Sequence, residues 1–147
     1  MTSILFVGAG KMGLPMARHL HAAGHAVTAF DLSPARRALA AEAGLPVADD
    51  LAAALDAVAH AVAGHAPPGA TWIDTSTVSP EASRAAAARA GACGVACLRA
   101  PVSGNNVMAE RAALTVFVSG PRAAFEAHEA LFAAWGPQRF WLGDGEQ

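Results

Sequence analysis

Lysine, cysteine and net charge are all scarce in this chain of 147 residues, and each scarcity excludes something. The two cysteines, Cys93 and Cys97, lie in an apolar stretch without Cys-x-x-Cys spacing, which argues against a redox dithiol or zinc site and for buried free thiols. Only 15% of residues are charged and the formal net charge is -2, with a pI near 6.3. No basic field is available to hold a nucleic-acid backbone, so nucleic acid is excluded as a partner and any phosphate must be gripped locally. Long apolar runs are missing too. The N-terminal run Ile4 to Val7 is too short for a signal sequence, and the Ala-rich stretch Ala52 to Gly64, interrupted by Asp56 and His60, is too short for a membrane span. A cytoplasmic enzyme or enzyme domain with no membrane association is expected.

What is present is a 54% hydrophobic, Ala-rich composition of ordinary globular character, enough for one domain over residues 1–147. Ser3 to Val7 reads as a buried parallel strand ending at Gly8, and Met12, Met16, Leu20 and Ala23 recur at helical spacing before Gly24. Ala26 to Phe30 reads as a second strand, and Ser33 and Pro34 open a helix that stops at Gly44. Pro46 to Ala48 suits a short third strand, and residues 49–64 suit a helix. Ala70 to Asp74, Val95 to Ala100, Leu114 to Ser119 and Arg139 to Leu142 read as strands, separated by helices at Ser79 to Ala90 and Arg122 to Trp135. Alternating strands and helices imply an α/β, Rossmann-type doubly wound sheet with mostly parallel strands. The six histidines form no triad or metal-ligand spacing, so no metal is expected, and Trp72, Trp135 and Trp141 read as core anchors.

The chemistry concentrates in Gly8-Ala9-Gly10-Lys11-Met12-Gly13. After an apolar strand and before a helix, Gly8 permits the tight turn, Gly10 lets backbone N–H groups approach a pyrophosphate, and Gly13 allows close helix–strand packing. The helix N-terminus adds unpaired N–H groups and partial positive charge. Asp31 follows Gly10 by 21 residues at the end of the second strand, the place for a carboxylate that accepts from ribose hydroxyls and repels a 2′-phosphate. These residues point to NAD, with NADP disfavoured, although Arg36 and Arg37 lie nearby.

The longer string Gly8 to Ala17, with Met12-Gly13 followed by Pro15-Met16-Ala17, resembles the opening of the β-hydroxyacid dehydrogenase family, which includes 3-hydroxyisobutyrate and 6-phosphogluconate dehydrogenases. Asp74-Thr75-Ser76-Thr77-Val78-Ser79-Pro80 resembles that family's segment beside the nicotinamide, and Ala100-Pro101-Val102-Ser103-Gly104 resembles its substrate-binding turn. The resemblance implies that Gly8, Gly10, Lys11, Met12, Gly13, Asp31 and Thr77 hold the cofactor, and that Ser103 and Gly104 bind the carboxylate of a small hydroxy acid. Asn105 and Asn106 replace the second glycine usual in that turn, and the tolerance of Asn for left-handed dihedrals would preserve it.

Two features depart from the family. Its acid/base lysine, on a helix that begins a second, helical domain, has no counterpart, because Lys11 is the single lysine and belongs to the glycine loop. No catalytic residue is therefore assigned, and the helical domain, with the dimerisation surface it carries, is expected to be absent. One family strand is also expected to be missing between Leu51 and Gly69, with Ala57 to Val62 as a poor substitute. Ala70 to Asp74 must then pair beside strand one or leave a gap. The leading expectation is the cofactor domain of a hydroxyacid dehydrogenase, with homo-oligomerisation left open. The alternatives are a non-catalytic cofactor-binding or regulatory module and, less in keeping with the Met12 to Ala17 string, an S-adenosylmethionine methyltransferase.

Overall fold

A computed structural model describes residues 2–48, 69–77 and 79–145. Strand β1 (Ser3–Val7) leads through the glycine loop into helix α1 (Gly13–Ala22), and β2 (Ala26–Phe30) returns parallel to β1 with Ser3 opposite Ala26 and Val7 opposite Phe30. Pro15 lies in the first turn of α1, where its fixed φ suits the helix. Helix α2 (Pro34–Glu42) follows with Pro at its start. Ser33 occupies the N-cap position with extended dihedrals but does not cap through its hydroxyl; its N–H is instead held by Asp31. The third strand expected over Pro46 to Ala48 reduces to one parallel bridge between Ala29 and Val47. The helix expected over 49–64 and the substitute strand Ala57 to Val62 lie outside the described residues.

Strand β3 (Thr71–Asp74) pairs parallel with β4 (Ala96–Arg99) across helix α3 (Pro80–Ala92), which continues two residues past its expected end at Ala90. β4 meets β6 (Thr115–Ser119) antiparallel at Arg99 and Ser119, and β5 (Val102–Ser103) pairs with β6 in the same register, Val102 opposite Val116. β4 and β5 are thus one extended run interrupted at Pro101, which has no N–H to donate to the ladder while its carbonyl still accepts from the Phe117 N–H at 3.0 Å. Parallel β7 (Gln138–Gly143) lies on the other side of β6.

Two further differences from the sequence reading have local causes. Helix α4 (Asn106–Glu110) was not expected; Asn105 caps it by accepting from the Met108 N–H at 3.0 Å. The helix expected over Arg122 to Trp135 is two, α5 (Arg122–Ala127) and α6 (Glu129–Ala133), broken at His128. The break lets Phe125 stack on Phe132 at 5.9 Å, although residues seven apart in a straight helix are separated by about 10 Å of rise.

Among the described residues no ladder joins β1 to β3, so the sheet divides into a β1–β2 pair and a five-stranded part. The segment in which a family strand was expected to be missing, Leu51 to Gly69, lies outside the described residues except for Gly69. A single core nevertheless spans both parts: Met16, Leu20 and Val27 pack in one cluster with Leu98, Leu114, Val116, Val118 and Phe132. Trp135, 3% exposed, joins the halves, donating its indole N–H to the Met16 carbonyl at 3.2 Å and meeting Phe6 edge-on at 6.5 Å. Trp72 and Trp141 are only partly buried, and Trp141 carries Arg122 over its ring at 5.1 Å.

Candidate functional site

The β1–α1 loop reverses sharply because Gly8 adopts φ +101°, a dihedral that disfavours any side chain. Its N–H donates to the Phe30 carbonyl at 2.8 Å, holding the loop against the end of β2. Gly13 answers a different demand: a Cβ there would overlap the Gly8 carbonyl oxygen. Gly10 meets neither demand. Its φ is ordinary, and the nearest atom to a Cβ would be the Arg36 guanidinium at 3.6 Å. Nothing in the fold itself requires glycine at that position.

The first intrahelical acceptor of α1 is the Gly10 carbonyl, which takes the Leu14 N–H at 3.0 Å. The N–H groups of Gly10, Lys11, Met12 and Gly13 donate to no acceptor among the described residues, and Met12 at the N-cap offers no side-chain acceptor. Four donors therefore cluster at the positive end of a helix. The Lys11 side chain is exposed beside them.

Asp31 ends β2 against this loop and is 6% exposed. One carboxylate oxygen accepts from the Ala9 N–H and the other from the Ser33 N–H, both at 2.9 Å. Arg36 stands 3.6 Å from it, and Arg37 donates to the Asp31 backbone carbonyl at 2.8 Å while lying over the Phe30 ring at 5.8 Å. The N–H of Ser33 first, then that of Ala9 and the Arg36 charge, lower the Asp31 pKa against the opposing effect of burial. Each oxygen keeps a lone-pair direction for another donor.

Thr77 lies in a separate stretch. It is exposed in the loop that leaves β3, three residues past Asp74. The Asp74 carboxylate accepts from the Ser76 N–H at 2.9 Å and shapes this loop as an Asx turn. Ser103 and Gly104 form a third, exposed element between β5 and α4. Gly104 has φ +144°, and a Cβ there would press on Leu114 at 2.6 Å. Asn105, expected to tolerate left-handed dihedrals, is extended at φ -126° and serves as the helix cap, so no left-handed dihedral is required of it. Helix α1 and α4 touch through His19, whose Nε2 lies 2.9 Å from the Ala109 carbonyl and 3.0 Å from that of Glu110. The glycine-loop helix is thereby tied to the segment carrying Ser103 and Gly104.

The glycine loop and Asp31 are thus in direct contact, whereas Thr77 and the Ser103-Gly104 turn stand on separate loops of the five-stranded part. Sequence reasoning missed Arg99, which forms an ion pair with Asp74 at 2.9 Å. The only signal was the cross-strand register of β3 and β4, which sequence spacing alone does not reveal.

Residues 3–143 match the family model described as the NAD binding domain of 6-phosphogluconate dehydrogenase. NAD-dependent L-serine dehydrogenase of Pseudomonas aeruginosa is 33% identical over 162 residues, covering 97% of this chain and 54% of the relative. A 3-hydroxyisobutyrate dehydrogenase of the same organism is 34% identical over 98% of this chain and 55% of its own length. The structure of Mycobacterium tuberculosis 3-hydroxyisobutyrate dehydrogenase with L-serine superposes with a TM-score of 0.88 at 29% identity, covering 99% of this chain and 55% of that one. The chain thus spans about half the length of the relatives it matches. The serine dehydrogenase alignment, at 162 residues against the 147 of this chain, also carries positions for which this chain has no counterpart. Among the described residues no helix is long and apolar enough to cross a membrane. The chain belongs to the family of the NAD-binding domain of 6-phosphogluconate dehydrogenase.

Proposed function

We propose that Gly8, Gly10, Lys11, Met12, Gly13, Asp31 and Thr77 hold NAD, and that Ser103 and Gly104 receive the carboxylate of a small 3-hydroxy acid resembling 3-hydroxyisobutyrate or serine. The observation that carries this reading is Gly10. Its missing side chain relieves no strain and no clash, and its N–H is the first of four unpaired donors. Such a position serves a ligand that must approach the backbone closely, and a pyrophosphate fits both the space and the charge. Asp31 supplies the acceptor for the adenosine ribose and disfavours a 2′-phosphate. The Ser103 hydroxyl and backbone N–H groups of the following turn offer the donors a carboxylate requires.

Held by these residues, a nicotinamide cofactor would supply the hydride chemistry at the carbon bearing the substrate hydroxyl. The residues of this chain bind and orient; the proton on that hydroxyl needs a separate acid/base. Lys11, the single lysine, belongs to the glycine loop and is not offered for that role. The 147 residues are accordingly read as one cofactor domain, with proton transfer supplied by a helical unit of the kind the longer relatives' extra length accommodates. Homo-oligomerisation and a cytoplasmic location accord with this reading. A cofactor-binding module without chemistry is the second reading, and the lysine count favours it for these residues taken alone.

The test is a titration of the purified chain with NADH, followed by an assay of NAD+ reduction with 3-hydroxyisobutyrate and L-serine. Saturable NADH binding without turnover supports a cofactor domain. Turnover would overturn the assignment of proton transfer elsewhere. Binding of S-adenosylmethionine in place of NADH would overturn the cofactor itself.

A further inference from the structure

Asp74 and Arg99 stand opposite each other on adjacent parallel strands, at the last residue of β3 and of β4. Their ion pair is 2.9 Å long, and the side chains are 13% exposed at Arg99 and 14% at Asp74. The Arg84–Glu81 and Arg122–Glu126 pairs are instead open to water on both sides. A desolvated pair gains little net stability, because stripping water from two charges offsets most of their attraction. Its geometric consequences are larger. With one carboxylate oxygen fixed by Arg99, the other accepts from the Ser76 N–H at 2.9 Å, while the Asp74 carbonyl accepts from the Ala100 N–H at 2.8 Å. Every oxygen of Asp74 is engaged, and the side chain cannot rotate without breaking the turn that carries Thr75, Ser76 and Thr77.

We infer that Arg99 is a positioning residue for the nicotinamide half of the cofactor. Through Asp74 it locks the loop at 74–77, so that Thr77 is presented in a fixed place. The inference rests on the cofactor reading given above for Thr77. It divides the cofactor site into two independently held halves. The pyrophosphate and adenosine half depends on the glycine loop and Asp31, and the nicotinamide half depends on the Asp74–Arg99 pair.

ADP and NADH separate these halves, because ADP lacks both the nicotinamide and the ribose that carries it. In the full chain, Arg99→Met is expected to weaken NADH binding about tenfold and to leave ADP binding within about twofold. Arg99→Lys, which keeps the charge, is expected to recover part of the loss. Should Arg99→Met fail to fold because it strands the Asp74 carboxylate, Arg99→Met with Asp74→Asn removes both charges while Asn still offers Ser76 an acceptor, and the same selective loss is expected. Amide hydrogen exchange at Ser76 gives a readout without cofactor: fast exchange in Arg99→Met and slow exchange in the wild type support the lock. Unchanged NADH binding with unchanged Ser76 exchange overturns the inference, as does equal weakening of both nucleotides. If the wild type binds neither nucleotide the cofactor reading falls, and with it the nicotinamide role of Arg99, while Ser76 exchange still reports whether Arg99 fixes the loop.

Discussion

The Ala9 N–H donates to Asp31 Oδ2 at 2.9 Å, so the glycine loop and the acid after β2 are fastened to each other before any ligand arrives. Asp31 therefore has a structural task as well as the proposed one. Replacing it with alanine leaves the Ala9 and Ser33 N–H groups without their acceptor and is expected to cost about 1–3 kcal/mol of stability, measured by urea unfolding. NADH binding should weaken about tenfold or more, as expected for loss of a charged acceptor. Binding of NADPH should fall less, since Arg36, 3.6 Å from the carboxylate, loses its anionic partner and is free for a 2′-phosphate.

Gly10 and Gly13 are expected to separate binding from folding. A methyl group at Gly10 meets only the Arg36 guanidinium, at an ordinary contact distance of 3.6 Å, so Gly10→Ala should change stability by no more than about 1 kcal/mol while abolishing NADH binding. At Gly13 the methyl overlaps the Gly8 carbonyl, and Gly13→Ala should destabilise by about 1–3 kcal/mol. Thermal unfolding and an NADH titration on both variants check the pair. Equal stability losses would remove the distinction between the two glycines.

Trp135 is expected to be the main link between the two parts of the sheet. Trp135→Phe keeps a ring but deletes the indole donor to the Met16 carbonyl and leaves space beside Phe6, at an expected cost of about 1–3 kcal/mol. Amide exchange should rise in β1 and β2 more than in β6, because the latter keeps ladder partners on both sides.

Acid should weaken the fold in two steps. Burial first, and then the neighbouring His25, hold the His128 imidazole below its ordinary value of 6.5. The folded state thus favours the neutral ring, and the unfolded chain takes up the proton first as the pH falls. That contribution is complete above about pH 6.5 and is lost as the pH drops through the lowered folded value. Asp31 behaves likewise in a more acidic window: its stabilisation is present above its ordinary value of 3.8 and disappears as the pH falls through the lowered one. The drop in Tm between pH 7 and pH 5 should be smaller in His128→Gln than in the wild type. An identical drop would show that His128 carries none of it.

The parts of the fold legible in the sequence are those written in adjacent residues. Ser3 to Val7 and the loop to Gly13 carry strand, turn and helix start within about a dozen positions, and Asp31 follows at the end of the next apolar run. Other features depend on partners far along the chain. Pro101 splits one strand into two because it has no N–H to offer the ladder where it faces Phe117, and the helix before Trp135 breaks where Phe125 folds back on Phe132. Asn105 misled for a subtler reason. Asn suits both left-handed turns and helix caps, and only the short helix after it, with Met108 as donor, decides for the cap. The Asp74–Arg99 pair was illegible because strand register, not spacing, brings the two residues together.

The most direct test of the glycine loop as a cofactor cradle is an isothermal titration of the folded 147-residue chain with NADH. A saturable, one-to-one isotherm that ADP-ribose displaces is the expected result. Absence of any saturable NADH isotherm, from protein shown to be folded by circular dichroism, would contradict it.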